Sequence, residues 1–159
     1  MDHSVDQNLI GDVARDVLMQ IAPHEVPLFE ATSVAYFANP QNAIKSTRAK
    51  ASALGFGVDP FSILLTPFVL QVVSEVVPML GSIAKKATEA AIGEEVSRTV
   101  KCMFKRFHDE NADPAAVLSH EQLVEIHLSV MDAARKLKLP TDKARALADA
   151  VVVQFVVKR

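Results

Sequence analysis

Two histidines, two glutamates and one cysteine are the residues of this chain whose types and spacing come nearest to chemistry. The run His120-Glu121-Gln122-Leu123-Val124-Glu125-Ile126-His127 mixes imidazoles with carboxylates, as a helical metal site does. A zincin helix needs histidines four residues apart, and the fourth residue after His120 is Val124. His120 and His127 share a helix face but stand about 10.5 Å apart at 1.5 Å per residue, too far for one ion. Neither Glu121 nor Glu125 has a histidine three residues on, which is the di-iron spacing. A solvated helix face without metal is the expected reading. Cys102 is a nucleophile only if a base is held nearby. His108, six residues on, falls around the helix rather than beside it, so a buried, inert thiol is expected. Gly55-x-Gly57 lacks the third glycine and the preceding strand of a phosphate-binding loop, and reads as a turn between helices. The chemistry-bearing residues therefore predict no enzyme, no metal and no cofactor.

What remains is a question of surfaces and of the elements that present them. The chain has 159 residues, half of them hydrophobic and 23% charged, a mix that buries a core. A formal charge of −2 argues against nucleic-acid binding, which needs clustered cations to displace counterions. A lone cysteine leaves no intramolecular disulfide. The acidic, polar start Met1-Asp2-His3-Ser4-Val5-Asp6 is unlike a secretory signal, and a cytoplasmic location is expected. Charge is unevenly spread. Residues 1–40 carry six acidic side chains and Arg15, a net of −5, whereas residues 41–110 have a net of +2. Either these regions pair, or the acidic front gates a basic surface.

Helix signals dominate, and the fold class is all-α: a bundle of about five helices over residues 1–110, a linker at 111–117 and a helical hairpin at 118–159 that packs on the bundle. Ser4 with Gln7 makes a capping box for a helix from Val5 to Ala22, ended by Pro23. A second helix is expected over Pro27 to Ala38. Asn39-Pro40 starts a third, to Leu54, and Asp59-Pro60 starts another. Pro67 and Pro78 should kink or break the stretch that follows, and Gly81 should part it from a long helix over Ser82 to Phe107. Ser119 with Gln122 opens a helix to Lys138, and Pro140-Thr141 turns into a last helix ending near Val157.

Two segments stand out. From Phe61 to Leu80, thirteen of twenty residues are strongly apolar and only Glu75 is charged. The length suffices to span a bilayer. The apolar residues favour insertion by about −5 kcal/mol, but Glu75, Gln71, the serines and the prolines bring the sum close to zero. One reading is a core helix, apolar all round because neighbours surround it; the other is an element that inserts after a trigger. On the second reading Phe61, Leu64, Leu65, Phe68 and Leu70 would contact membrane. Just downstream, Arg98, Lys101, Lys105 and Arg106 lie near one another beside an apolar face of Val96, Val100, Met103, Phe104 and Phe107, as in a basic amphipathic helix on anionic lipid. The second segment is Val151-Val152-Val153-Gln154-Phe155-Val156-Val157, with six of seven residues β-branched or aromatic. It has the composition of a steric-zipper assembly segment, carried by Val151, Val152, Val153, Phe155 and Val156. In helical phase with Leu147 and Ala150, it also reads as a buried final helix, and such conflicts mark switchable segments.

This layout, with Asp59-Pro60-Phe61-Ser62-Ile63-Leu64-Leu65-Thr66-Pro67-Phe68 and the Val151–Val157 run, resembles the HeLo-like and Bell-type helical effector domains of immune-type signalling. The resemblance lies in texture, over most of residues 1–110. It implies membrane perturbation triggered by a partner, with a C-terminal segment receiving the signal. Those domains often present the membrane-acting helix at the very N-terminus, which here is acidic. The expectation is thus a non-catalytic effector module, cytoplasmic or peripheral to the membrane, whose partners are anionic membrane and a protein or a second copy. The alternative is an adaptor that docks a partner or dimerises through the 118–157 hairpin.

Overall fold

Asn39-Pro40 and Ser119-x-x-Gln122 start helices where their chemistry dictates. A computed structural model of the protein describes residues 3–54, 64–88, 93–111 and 114–158. Among them are seven α-helices and no strand ladder: α1 (His3–Ile21), α2 (Phe29–Ala38), α3 (Pro40–Leu54), α4 (Thr66–Thr88), α5 (Gly93–Met103), α6 (His120–Lys136) and α7 (Thr141–Val152). The fold is all-α, and α6 and α7 form the C-terminal hairpin. The turn at Gly55 and Gly57, the Asp59-Pro60 start and Phe61 lie outside the described residues, as do the middle of the expected linker and the side chain of Ser4.

In α1, Leu9, Ile10, Val13, Ala14, Val17 and Leu18 recur at helical spacing and are all buried. The helix ends at Ile21, and the prolines at 23 and 27 lack the N–H groups of a further α-turn. Residues Pro23–Leu28 therefore form a 3₁₀ turn, and α2 starts at Phe29 rather than at Pro27. At α3 the Asn39 Oδ1 accepts the Asn42 N–H at 3.1 Å, with Pro40 at the first helical position. At α6 the Ser119 Oγ accepts the Gln122 N–H at 3.2 Å and the Gln122 Oε1 accepts the Ser119 N–H at 2.9 Å, a complete capping box.

Helix α4 is the centre of the bundle, packed by α1, α2, α3, α5 and α6. Phe68, Val69, Leu70, Val72, Val73, Val76, Val77, Leu80 and Ala84 on it are all buried. It corrects the expected breaks. Pro67 lies in the first turn, where no intrahelical donor is needed. Pro78 lies on an exposed side of the helix, which runs on through Gly81 to Thr88.

The expected helix from Ser82 to Phe107 is also corrected. Helix α5 stops at Met103 because Phe104 is extended (φ −85°, ψ 134°) and fully packed, its ring 4.6 Å from that of Phe155. The last helix stops at Val152, short of the expected Val157. Beyond it the chain is extended and threads between two segments: the Lys105 N–H donates to the Gln154 carbonyl at 2.8 Å, and the Val156 N–H donates to the Met103 carbonyl at 2.9 Å. On the other side the Leu118 N–H donates to the Val156 carbonyl at 3.0 Å and the Lys158 N–H to the Leu118 carbonyl at 2.9 Å. Leu118 and Ala116 are fully buried, so the end of the expected linker belongs to the packed structure. Leu123, Ile126, Val130, Leu147 and Val151 join the same hydrophobic cluster as Leu9 and Phe68, so hairpin and bundle share one core.

Candidate functional site

Of the basic residues singled out in the sequence, Arg98 falls midway along α5, Lys101 in its last turn, and Lys105 and Arg106 in the 3₁₀ turn Lys105–Phe107 that follows. Arg98, Lys101, Lys105 and Arg106 are all exposed, while Val100, Met103 and Phe104 point into the core. Phe107 is half-buried between two cations: the Lys101 Nζ lies 4.7 Å and the Arg106 Cζ 5.6 Å from its ring centroid. The Arg106 guanidinium also meets the acidic helix, with Nη1 donating to Asp16 Oδ1 at 3.0 Å and Oδ2 at 3.1 Å. Of the two arrangements open for the acidic front, pairing with the basic middle is thus realised at this contact.

The apolar membrane candidates are placed differently. Leu65, Phe68 and Leu70 are buried and Leu64 is half-buried, because α4 is enclosed by its neighbours. In this state they form core rather than an exposed face. Residues Thr66–Ala87 are long and apolar enough to cross a bilayer, and 56% of that window is buried, as in the core helix of a soluble bundle. The assembly candidates divide in the same way. Val151 and Phe155 are buried, Val152 and Val156 half-buried, and only Val153 is well exposed, at 49%.

Beside the basic turn a cleft of about 550 Å³ opens between α1, α4 and α5. Its walls are mainly apolar, from Leu9, Val77, Val96, Val100 and Phe107. Asp12, Lys85 and Lys101 supply its charged groups. The spacing rules gave no sign of this cleft, since its residues come from three helices and one turn. The absent side chain of Gly81 helps to make it: a Cβ there would meet only the Val96 Cγ1, at 4.0 Å.

The residues whose types come nearest to chemistry are occupied otherwise. His108 Nδ1 lies 3.0 Å from the Cys102 backbone carbonyl oxygen, and the thiol-bearing residue is half-buried rather than buried. His127 Nε2 lies 3.1 Å from Asp149 Oδ1, across the hairpin, while His120 is exposed. Among the described residues no three His, Cys, Asp or Glu side chains converge on a common point.

Two polar arrangements went unseen in the sequence. Glu25, only 4% exposed, turns its carboxylate onto the start of α4. Its Oε1 accepts the Leu65 N–H at 2.8 Å, the Thr66 N–H at 3.0 Å and the Thr66 hydroxyl at 2.8 Å, and Oε2 accepts the Leu65 N–H at 2.9 Å. The orphan donors and positive end of α4 thus receive an anion from another part of the chain. Tyr36 of α2 donates to the Gln71 Oε1 at 2.7 Å, with the Ser74 Oγ at 3.5 Å. Burial raises the Tyr36 hydroxyl above its ordinary pKa; the Ser74 contact opposes the rise and the charge of Glu75 adds to it. No family model matches the chain, and neither a curated protein nor a solved structure shows significant similarity to it.

Proposed function

We propose that the protein is a non-catalytic helical effector module of immune-type signalling that works by contact with anionic membranes, reaching them from the cytoplasm as a peripheral protein. The observation that carries this reading is the set of exposed cations Arg98, Lys101, Lys105 and Arg106, two of which, Lys101 and Arg106, lie over the half-buried Phe107. Cations at head-group level with an aromatic ring beside them suit an anionic interface. Helix α4 stays in the core at this first contact. Its length and hydropathy supply a segment for insertion, and the extended tail beyond α7 supplies one for self-assembly, once a trigger opens the bundle. Vesicle flotation of the variant R98Q/K101Q/K105Q/R106Q tests the reading. The parent chain should float with anionic vesicles and the variant should not, with equal helicity by circular dichroism; undiminished flotation of the variant removes the basic surface from the mechanism.

An adaptor role is favoured by a separate observation. Val124 and Leu128, one turn apart on α6, are 57% and 61% exposed and give the hairpin an apolar outer face. If that face forms a dimer, V124E/L128E will be monomeric where the parent chain is not.

A further inference from the structure

We propose that the cleft between α1, α4 and α5 binds a free single-chain amphiphile with an anionic head, a ligand of the fatty-acid class. This goes beyond the membrane reading and does not rest on it, because most of the lining and one of its two cations, Lys85, lie outside the group Arg98, Lys101, Lys105 and Arg106.

The size of about 550 Å³ falls within the range of roughly 300–1,000 Å³ found for small-molecule sites. Largely apolar walls favour a hydrocarbon chain, whose removal from water supplies non-directional affinity. Gly81 keeps open a space that a larger side chain on α4 would fill. The head is specified by charge. Lys85 and Lys101 line the cleft against one carboxylate, Asp12, leaving it net positive. Among the described residues neither ammonium is in an ion pair, and both lysines are exposed. The Lys101 Nζ lies 4.7 Å from the centroid of the Phe107 ring, so a cation stands directly beside an apolar residue of the wall. A chain inside and an anion at two flexible ammonium groups together match a carboxylate-headed amphiphile better than a neutral or cationic one.

Calorimetric titration of the full chain with monomeric dodecanoate tests the inference, with dodecyltrimethylammonium as the probe of equal chain and opposite charge. The expected result is saturable binding of dodecanoate, at least tenfold tighter than the cationic probe. Filling the cleft from α4 with Gly81→Leu should weaken it at least tenfold, and K85Q/K101Q should remove most of the preference for the anion. Ser97→Leu fills the same space from α5, so a folding failure of either variant leaves the other to decide. Absence of saturation, equal affinity for the two probes, or unchanged binding by a folded cleft-filling variant would overturn the proposal.

Discussion

Glu25 shows how one side chain can decide where a distant helix begins. Buried anions are costly unless several donors surround them, and here two backbone N–H groups and a hydroxyl do so at the positive end of α4. Removing the carboxylate leaves those donors buried and unpaired. Glu25→Ala should therefore lower stability by about 2–4 kcal/mol, and Glu25→Gln, which keeps one acceptor oxygen, by roughly half as much. Urea denaturation of both variants measures the difference. Nothing local in the sequence marks this contact, since Glu25 and Thr66 are 41 residues apart. Tyr36 gives the corresponding pH effect. Its folded-state pKa lies above the ordinary 10.0, so the unfolded chain loses its proton first. The associated stability is complete below pH 10 and is lost as pH rises through the folded-state value. Tyr36→Phe removes this contribution, and its unfolding midpoint should fall less steeply above pH 10 than that of the parent chain.

At the scale of elements, helix starts set by local caps were legible and helix continuity was not. Asn39-Pro40 and Ser119-x-x-Gln122 act through side chains within three residues of the groups they satisfy, so spacing alone reveals them. Pro67, Pro78 and Gly81 look like breaks only when burial is ignored. A first-turn proline costs nothing, and packing by five neighbouring helices outweighs the remaining weak points of α4. The Val151–Val157 segment divides between its two propensities. Val151 completes α7, whereas Phe155 leaves the helix to stack on Phe104, a partnership between residues far apart in sequence. The turn after α6 holds a testable strain. Lys138 adopts φ 65° while its N–H donates to the Arg135 carbonyl at 2.9 Å and the Leu139 N–H donates to the Ala134 carbonyl at 3.0 Å. These are the bonds of a Schellman cap with lysine where glycine is usual. Lys138→Gly should raise stability by about 0.5–1 kcal/mol, seen as a higher denaturation midpoint at unchanged slope.

For the whole molecule, the charge map foretold the meeting of an acidic front with a basic middle, and the Asp16–Arg106 pair is where they meet. The candidate cations were legible as a group because they are close in sequence. Where Leu65, Phe68 and Leu70 lie stayed open, because hydropathy does not distinguish a helix surrounded by protein from one surrounded by lipid. The half-exposed ion pair itself contributes no more than about 1 kcal/mol to folding. Its larger effect is on the surface: Asp16→Asn frees Arg106 and removes a negative charge beside it. At about 1 kcal/mol per basic residue near an anionic surface, this variant should bind anionic vesicles about fivefold more tightly. An equilibrium flotation titration reads that change directly.

The central claim, that the exposed cations carry the protein to anionic membranes, is tested most directly by flotation of the parent chain with dye-loaded vesicles, with and without anionic lipid, at low and high salt. Binding should require anionic lipid and weaken as salt rises. Binding that ignores lipid charge, or a chain that stays in solution with both vesicle types at low salt, would contradict it.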